Sequence, residues 1–277
     1  MLIFAALMIK TRIFFSFLVV MALFAVGCSD YSKALKSPNP QVKFDMALKL
    51  YNDQAYIKSM PLWEELIGLT RGTKMSEDVY YYYAKSQFGA HDFYLANYYF
   101  KNFAKTFSTS ARAEECQFLA AICSYNLSPD ASLDQTDTKT AINELQLFLD
   151  LFPKSALRDS ANHMIGTLNS KIESKEFEVA KLYYTTEKYK GAVNALKEFQ
   201  TIYPSSIYRE EALYLIVKSY YLYAEGSVPE KKLERYRLAT ESYITFATAF
   251  PKSNYLKDAE IYYEKSRRQI EKLTASN

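Results

Sequence analysis

The sequence predicts an all-α protein built from stacked helix pairs, and three observations carry that prediction. Glycine and proline are scarce, at 7 and 8 in 277 residues, about 5% where roughly 12% is usual. Sheets and glycine-rich phosphate loops need turn formers that this chain lacks. Aromatic residues are abundant, with 25 Tyr and 18 Phe set among Ala, Leu, Lys and Glu. These aromatics recur at helical spacing in registers that repeat along the chain, and such units bury their faces only by stacking on neighbours.

The first element is an address. Lys10 and Arg12 are the only charges before Asp30, and an apolar run follows from Ile13 to Val26. That length suits a signal-peptide core and falls short of the roughly 20 residues that span a bilayer. Met8 opens a better-charged leader than the apolar stretch before it. The run ends Ala25-Val26-Gly27-Cys28, which resembles a bacterial lipobox, with Ala25 where Leu is usual. Residues 1–27 are therefore read as a lipoprotein signal peptide, and Cys28 as the lipidated new N-terminus. The bland alternative is a buried Cys after an ordinary signal peptide. Removing residues 1–27 takes two positive charges and no negative one, leaving a net charge of +1. Attraction to anionic headgroups needs clustered Lys and Arg, so acyl chains must supply the anchor, and several hold where one binds marginally. Ser29 after the Cys resembles the pattern for export to the outer membrane. The short Ser29-Asp30-Tyr31 stretch, without an acidic run, points to the periplasmic side. Residues 28–38 read as the lipidated Cys and a tether.

The body repeats. Four segments share one ending: Phe103-x3-Phe107-Ser-Thr-Ser, Phe148-x3-Phe152-Pro-Lys-Ser, Phe199-x3-Tyr203-Pro-Ser-Ser and Phe246-x3-Phe250-Pro-Lys-Ser. Three use Pro to stop the helix, and the Ser is expected to cap the next one. Upstream stand small residues, Ala96, Ala141, Ala192 and Ala239, each followed four residues later by Phe100, Leu145, Leu196 and Tyr243. Ser59, Trp63, Leu66 and Thr70 extend these columns to an earlier copy. The preceding helices align on Ala47, Ala84, Ala121, Ala180 and Val217. A small residue facing a large one lets two helices approach closely. This is the tetratricopeptide pattern. It predicts helices near 40–53 and 55–70, 75–89 and 93–107, 110–126 and 137–152, 171–187 and 189–203, and 206–224 and 231–250. A segment at about 155–170 runs into 171–187 as one long middle helix, and a capping helix covers 254–273. Insertions at Leu127–Thr136 and Glu225–Lys232 should be loops. The organisation reads as repeats 1–3 over 39–170, then repeats 4–5 with the cap over 171–273.

With those motifs in place, the chain resembles the BamD family, the lipoprotein subunits of the outer-membrane β-barrel assembly machine. The most specific block is Leu133-Asp134-Gln135-Thr136, Ala141-Ile142 and the Phe148-x3-Phe152-Pro-Lys-Ser ending. Arg71-Gly72-Thr73 and the long middle helix also fit, and the likeness covers roughly residues 28–272. Ser108, where Pro is usual, and Ala25 depart from it. The resemblance implies a non-enzymatic, lipid-anchored scaffold at the outer membrane, facing the periplasm. Its N-terminal half would read unfolded outer-membrane proteins through their aromatic-ended C-terminal signal. Its C-terminal half would dock the periplasmic domains of the barrel-forming scaffold protein. Other lipidated repeat adaptors, such as a secretin pilot protein or a cell-wall-associated adaptor, are the alternative. A carbohydrate-binding outer-membrane lipoprotein would be much longer.

The residues present little chemistry. The balance of 34 basic against 31 acidic side chains does not suit nucleic-acid binding by counterion release. Two His and three Cys are too few for a multi-ligand zinc site or a disulfide scaffold, so neither metal nor cofactor is expected, and no enzyme. His91 sits at an inter-helix turn beside Asp92, a helix-capping residue, and His163 has no spaced partner. Cys116 and Cys123 lie seven apart, about 10 Å along a helix, too far to bond each other; an intermolecular bond stays open. The run Glu230–Arg237 reads as a solvated helix start. The candidate client-binding groove is Phe44, Tyr51, Tyr81, Phe88, Phe118 and Tyr125, at first-helix positions that often line a repeat groove. Tyrosines give contact area at low entropic cost; inter-helix packing is the competing role for each ring.

Overall fold

The computed structural model describes residues 30–275, and within them the chain forms twelve helices and no strand. The signal peptide and Cys28 lie outside the described residues. Helix α1 runs through 30–36. It is followed by α2 (Pro40–Asn52), α3 (Tyr56–Leu69), α4 (Met75–Gly89), α5 (Phe93–Thr106), α6 (Ala113–Leu127) and α7 (Thr136–Leu151). Then come α8 (Arg158–Thr185), α9 (Tyr189–Ile202), α10 (Arg209–Glu225), α11 (Pro229–Ala249) and α12 (Leu256–Ala275). Every expected helix is present, α8 as one 28-residue helix.

The columns read from the sequence are the packing columns. Ala47, Ala84, Ala96, Ala121, Ala141, Ala192 and Val217 are fully buried, and Ala180 and Ala239 nearly so. Their large neighbours Trp63, Phe100, Leu145 and Leu196 are fully buried too, while Tyr243 is half-buried. Ser59 holds the small position of the first pair. Its hydroxyl accepts the Trp63 indole N–H at 3.2 Å, satisfying a donor that would otherwise be stranded in the core.

The helix endings repeat atom for atom. Phe107, Phe152, Tyr203 and Phe250 each donate their N–H to the aromatic four residues back, at 2.8–2.9 Å. Ser155, Ser206 and Ser253, after the proline endings, are expected to cap the following helix, and Ser110 holds the same place in the proline-free ending. Instead each hydroxyl accepts the N–H two residues on, at 3.0 Å, and closes a turn that precedes the helix. Short hydroxyl side chains favour such local turns. Repeat two makes the same turn with Ser108 in place of Pro, so hydrogen bonding rather than the proline ring sets the geometry. Turns within the pairs of repeats one, two and four share a left-handed residue: Gln54 (φ 57), His91 (φ 61) and Glu187 (φ 60). Asp92 caps α5, accepting from the Leu95 N–H at 3.0 Å. The fifth-repeat insertion is shorter than expected, because α11 begins at Pro229, whose fixed φ and missing N–H suit a first helical position. The third-repeat insertion is an ordered loop, in which buried Gln135 donates to the Asp130 and Leu133 carbonyls at 2.8 and 3.0 Å.

Two compact units result, one through Pro129 together with Thr136–Ile165, the other Asp130–Gln135 together with the chain from Gly166 on. In the first, Leu62, Trp63, Leu66, Val79 and Tyr83 form one cluster, and Ala84, Phe100, Phe103, Cys116 and Cys123 belong to the next. In the second, Phe177, Leu196, Phe199, Val217 and Phe246 share a single core.

The segment read as a tether is helical from residue 30 and docked. Ala34 is buried, and Tyr31 and Leu35 pack on the first cluster. Lys43 of α2, only 3% exposed, places its ammonium 2.5 Å from the Leu35 carbonyl and 2.5 Å from Glu65 of α3. A cation at the end of α1 satisfies carbonyls that have no partner within the helix, so one lysine joins three helices.

Two outcomes follow from this packing. Ala192→Leu and Ala239→Leu should overpack their crossings and cost roughly 1–3 kcal/mol each, measurable by thermal melts, with the loss shared by adjacent helices. Lys43→Met keeps the buried stem but strips the Leu35 carbonyl of its donor. Hydrogen exchange should then show lost protection across residues 31–37 with α5 to α7 unchanged.

Candidate functional site

The six candidate groove residues come from three helices: Phe44 and Tyr51 from α2, Tyr81 and Phe88 from α4, Phe118 and Tyr125 from α6. All six are half-buried, so none is wholly a core ring. Phe44 meets Trp63 edge-on at 5.5 Å between centroids, and Tyr51 meets Tyr82 at 5.2 Å. Phe88 packs edge-on against Phe93 and Phe100 at 5.6 and 6.2 Å, and Phe118 tilts on Phe148 at 5.0 Å. Each of these rings contributes to inter-helix packing while part of its residue's surface stays exposed.

Tyr81 is the most elaborately held. Its hydroxyl donates to both carboxylate oxygens of Glu115 at 3.1 Å, and the Arg112 guanidinium lies 4.5 Å from its ring centroid. Arg112 itself donates to Asp78 at 2.6 Å, Lys85 to Glu115 at 3.1 Å, and Ser110 to Glu77 at 2.6 Å. Burial, reinforced by the charge and hydrogen bond of Glu115, raises the Tyr81 phenol well above its ordinary value. The Asp78 hydrogen bond is the largest influence holding Arg112 charged. This polar lattice ties α4 to α6 beside the rings.

Sequence reasoning missed the centre of that arrangement. Tyr82 touches Phe44, Tyr51, Trp63 and Tyr81, yet it lies outside every repeating column. The charged partners carried a usable signal. Asp78 and Arg112, like Tyr81 and Glu115, are 34 residues apart, about one helical turn short of the 37-residue spacing of Ala84 and Ala121. Complementary groups at that offset fall on neighbouring first helices.

The face offers aromatic edges and paired charges, with no nucleophile set beside a base. Its chemistry is that of contact between side chains. Among the described residues, no three His, Cys, Asp or Glu side chains gather as a metal ion would require. No described helix is long and apolar enough to cross a membrane.

With the geometry described, comparison with known proteins adds one finding. A family model described as an outer membrane lipoprotein, YfiO, matches residues 39–234, from the residue capping α2 into α11. No curated protein matches the chain.

Cys116 and Cys123 lie behind this face, both fully buried. Burial first, and the charge of Glu115 second, push the Cys116 thiol up to about 12; burial and Glu144 bring Cys123 to about 12. Thiolate is the reactive form, so a thiol-disulfide reagent is expected to label neither residue until the protein unfolds. Because both folded values lie above the ordinary 9.0, the associated stability is fully present below pH 9 and is lost as pH rises toward 12. Melting temperatures across that window should fall less steeply in a Cys116→Ala/Cys123→Ala variant than in the parent.

Proposed function

The chain belongs to the YfiO outer membrane lipoprotein family, and from that premise we propose that it is a non-enzymatic scaffold subunit of the machinery that inserts β-barrel proteins into the outer membrane. The protein is anchored there through acyl chains on Cys28 and faces the periplasm. Its first unit reads the C-terminal signal of unfolded barrel proteins, and its second docks the periplasmic domains of the barrel-forming scaffold protein.

The observation that carries the client-reading half is the half-buried state of the six aromatics. A ring wholly in the core could contact no client, and a fully exposed ring would lack a fixed position. Here Phe44, Tyr51, Tyr81, Phe88 and Phe118 are each held by a neighbouring ring while part of the residue's surface stays exposed. Pre-positioned aromatics lose little freedom on binding, which favours affinity for an extended segment ending in an aromatic residue. The tyrosine-rich composition of the face fits that use, since the phenol tips tolerate solvent when no client is present.

Two experiments address the halves of this reading. Affinity purification of the lipidated protein should bring down a large barrel protein with periplasmic domains; recovery of a secretin ring instead would assign the chain to the alternative adaptor class. Cys28→Ala in the same preparation should abolish acyl labelling and membrane retention. Tyr81→Ala and Phe88→Ala should each weaken a barrel-protein C-terminal peptide about tenfold, the value of one good aromatic contact, while scaffold pull-down stays at the parent level. Tyr81→Phe keeps the ring and should keep the affinity. Peptide binding equal to the parent in folded alanine variants would remove the client-reading role from this face.

A further inference from the structure

The repeat register makes one part of the molecule a control for another. Counting from the small columns, Lys101 of α5 corresponds to Lys197 of α9, Ser124 of α6 to Tyr220 of α10, and Glu144 of α7 to Ser242 of α11. In the first unit these positions form a closed carboxylate site. Lys101 donates to one oxygen of Glu144 at 2.8 Å, and Ser124 and Asn97 to the other at 2.8 and 2.7 Å. The Glu144 side chain is only 10% exposed, and the space left beside it is about 120 Å³.

In the second unit the lysine remains, Tyr220 stands in place of Ser124, Val193 replaces Asn97, and the acid is gone. Ser242 is too short to replace Glu144, and its hydroxyl is turned back to the Leu238 carbonyl at 2.7 Å. A cavity of about 400 Å³ stands between α9, α10 and α11 in its place. The Lys197 ammonium, lacking a carboxylate partner, donates to the Tyr220 hydroxyl at 2.8 Å. That hydroxyl is thereby an acceptor whose own proton is free to be given. Gln200 lines the same cavity, and its amide nitrogen is buried without a hydrogen-bond partner. A stranded buried donor costs free energy until something accepts from it.

We propose that this cavity binds the side-chain carboxylate of a glutamate or aspartate presented by a partner protein. The occupant is argued from the protein's own precedent: at the equivalent position, a glutamate side chain reaching in from a neighbouring helix fills the site. Three donors from two helices, Lys197 Nζ, Tyr220 OH and Gln200 Nε2, are the complement of one carboxylate with several lone pairs. Leu213, Ile216 and Leu238 supply apolar lining beside those donors. Glu241, exposed on the rim, opposes a second negative charge. The site is therefore fitted to one carboxylate rather than to an acidic run or a phosphate dianion. The assignment does not depend on which partner the family role supplies.

The test uses the full mature chain, labelled with nitrogen-15 at glutamine, and reads the Gln200 side-chain amide by NMR. Acetyl-glutamate amide should shift that resonance saturably, and acetyl-glutamine amide should not. Lys197→Met should weaken the titration about tenfold or more, as loss of a charge-assisted hydrogen bond does. Ser242→Glu should fill the site from within, abolish the titration and raise the melting temperature, and that rise should vanish when Lys197→Met is added. Acetyl-alanine with a free carboxylate distinguishes the sources: binding of that probe in preference to the glutamate probe would overturn the side-chain assignment in favour of a chain terminus. Equal response to the glutamine probe, or parent-like binding in Lys197→Met, would overturn the site altogether. Should Ser242→Glu fail to fold, the Lys197→Met titration decides alone.

Discussion

The structure depends on how closely paired helices can approach. Wherever two cross, one contributes alanine, serine or valine with almost no exposed surface, and a large side chain from the next turn closes the gap. An alanine gives up no side-chain entropy when buried, and its small volume lets the facing ring reach the backbone. The same device is used at Gly89, where a Cβ would stand 2.5 Å from the Tyr56 ring. Each contact is made between elements close in sequence, so no helix pair buries its apolar faces alone. Local propensity, column spacing and turn chemistry all favour one arrangement, which is the condition for a well-defined fold.

That constraint also shapes the candidate face. Aromatic rings on the first helices are wedged by their neighbours from one side, which fixes them without covering them. Tyr81 shows the consequence most clearly, with its hydroxyl, ring edge and ring face held by Glu115, Phe103 and Arg112 respectively. Removing such a ring disturbs packing and surface together. Binding and stability at this face must therefore be separated by substitutions that keep the ring, as Tyr81→Phe does.

The columns could be read from the sequence because their period is long and their residue types are extreme: alanine with phenylalanine in four of the five repeats leaves little ambiguity. The serine-closed turns were visible as a motif, although their role as turn closers ahead of the helix was not. The half-burial of Phe44, Phe88 and Phe118 was out of reach, since the same spacing serves a core stripe and a groove. Tyr82 was hidden within the run Tyr80–Tyr83, where helix rotation decides which ring faces inward. Helix α1 was missed for a different reason. Seven residues are too few to show amphipathic periodicity, and the lysine that clamps it looks like any solvated lysine until Leu35 and Glu65 are seen beside it.

Repeats built this way can diverge one site at a time. Because each helix touches only its neighbours, replacing a buried glutamate by serine in one repeat need not disturb the same position in another. Glu144 and Ser242 show how far this goes. The surrounding helices keep their register, with Ala141 and Ala239 both buried and Phe148 and Phe246 both in the core, while an ion pair with a buried carboxylate in one unit gives way to a larger cavity in the other. A buried carboxylate is retained only when every donor around it is matched. At the Asn97 position the second unit has the apolar Val193, while Lys197 keeps its charge and turns it to the Tyr220 hydroxyl, and the Gln200 amide nitrogen is left unmatched. A cation paired only with a phenol beside an unmatched donor is what a site that receives its carboxylate from outside would display.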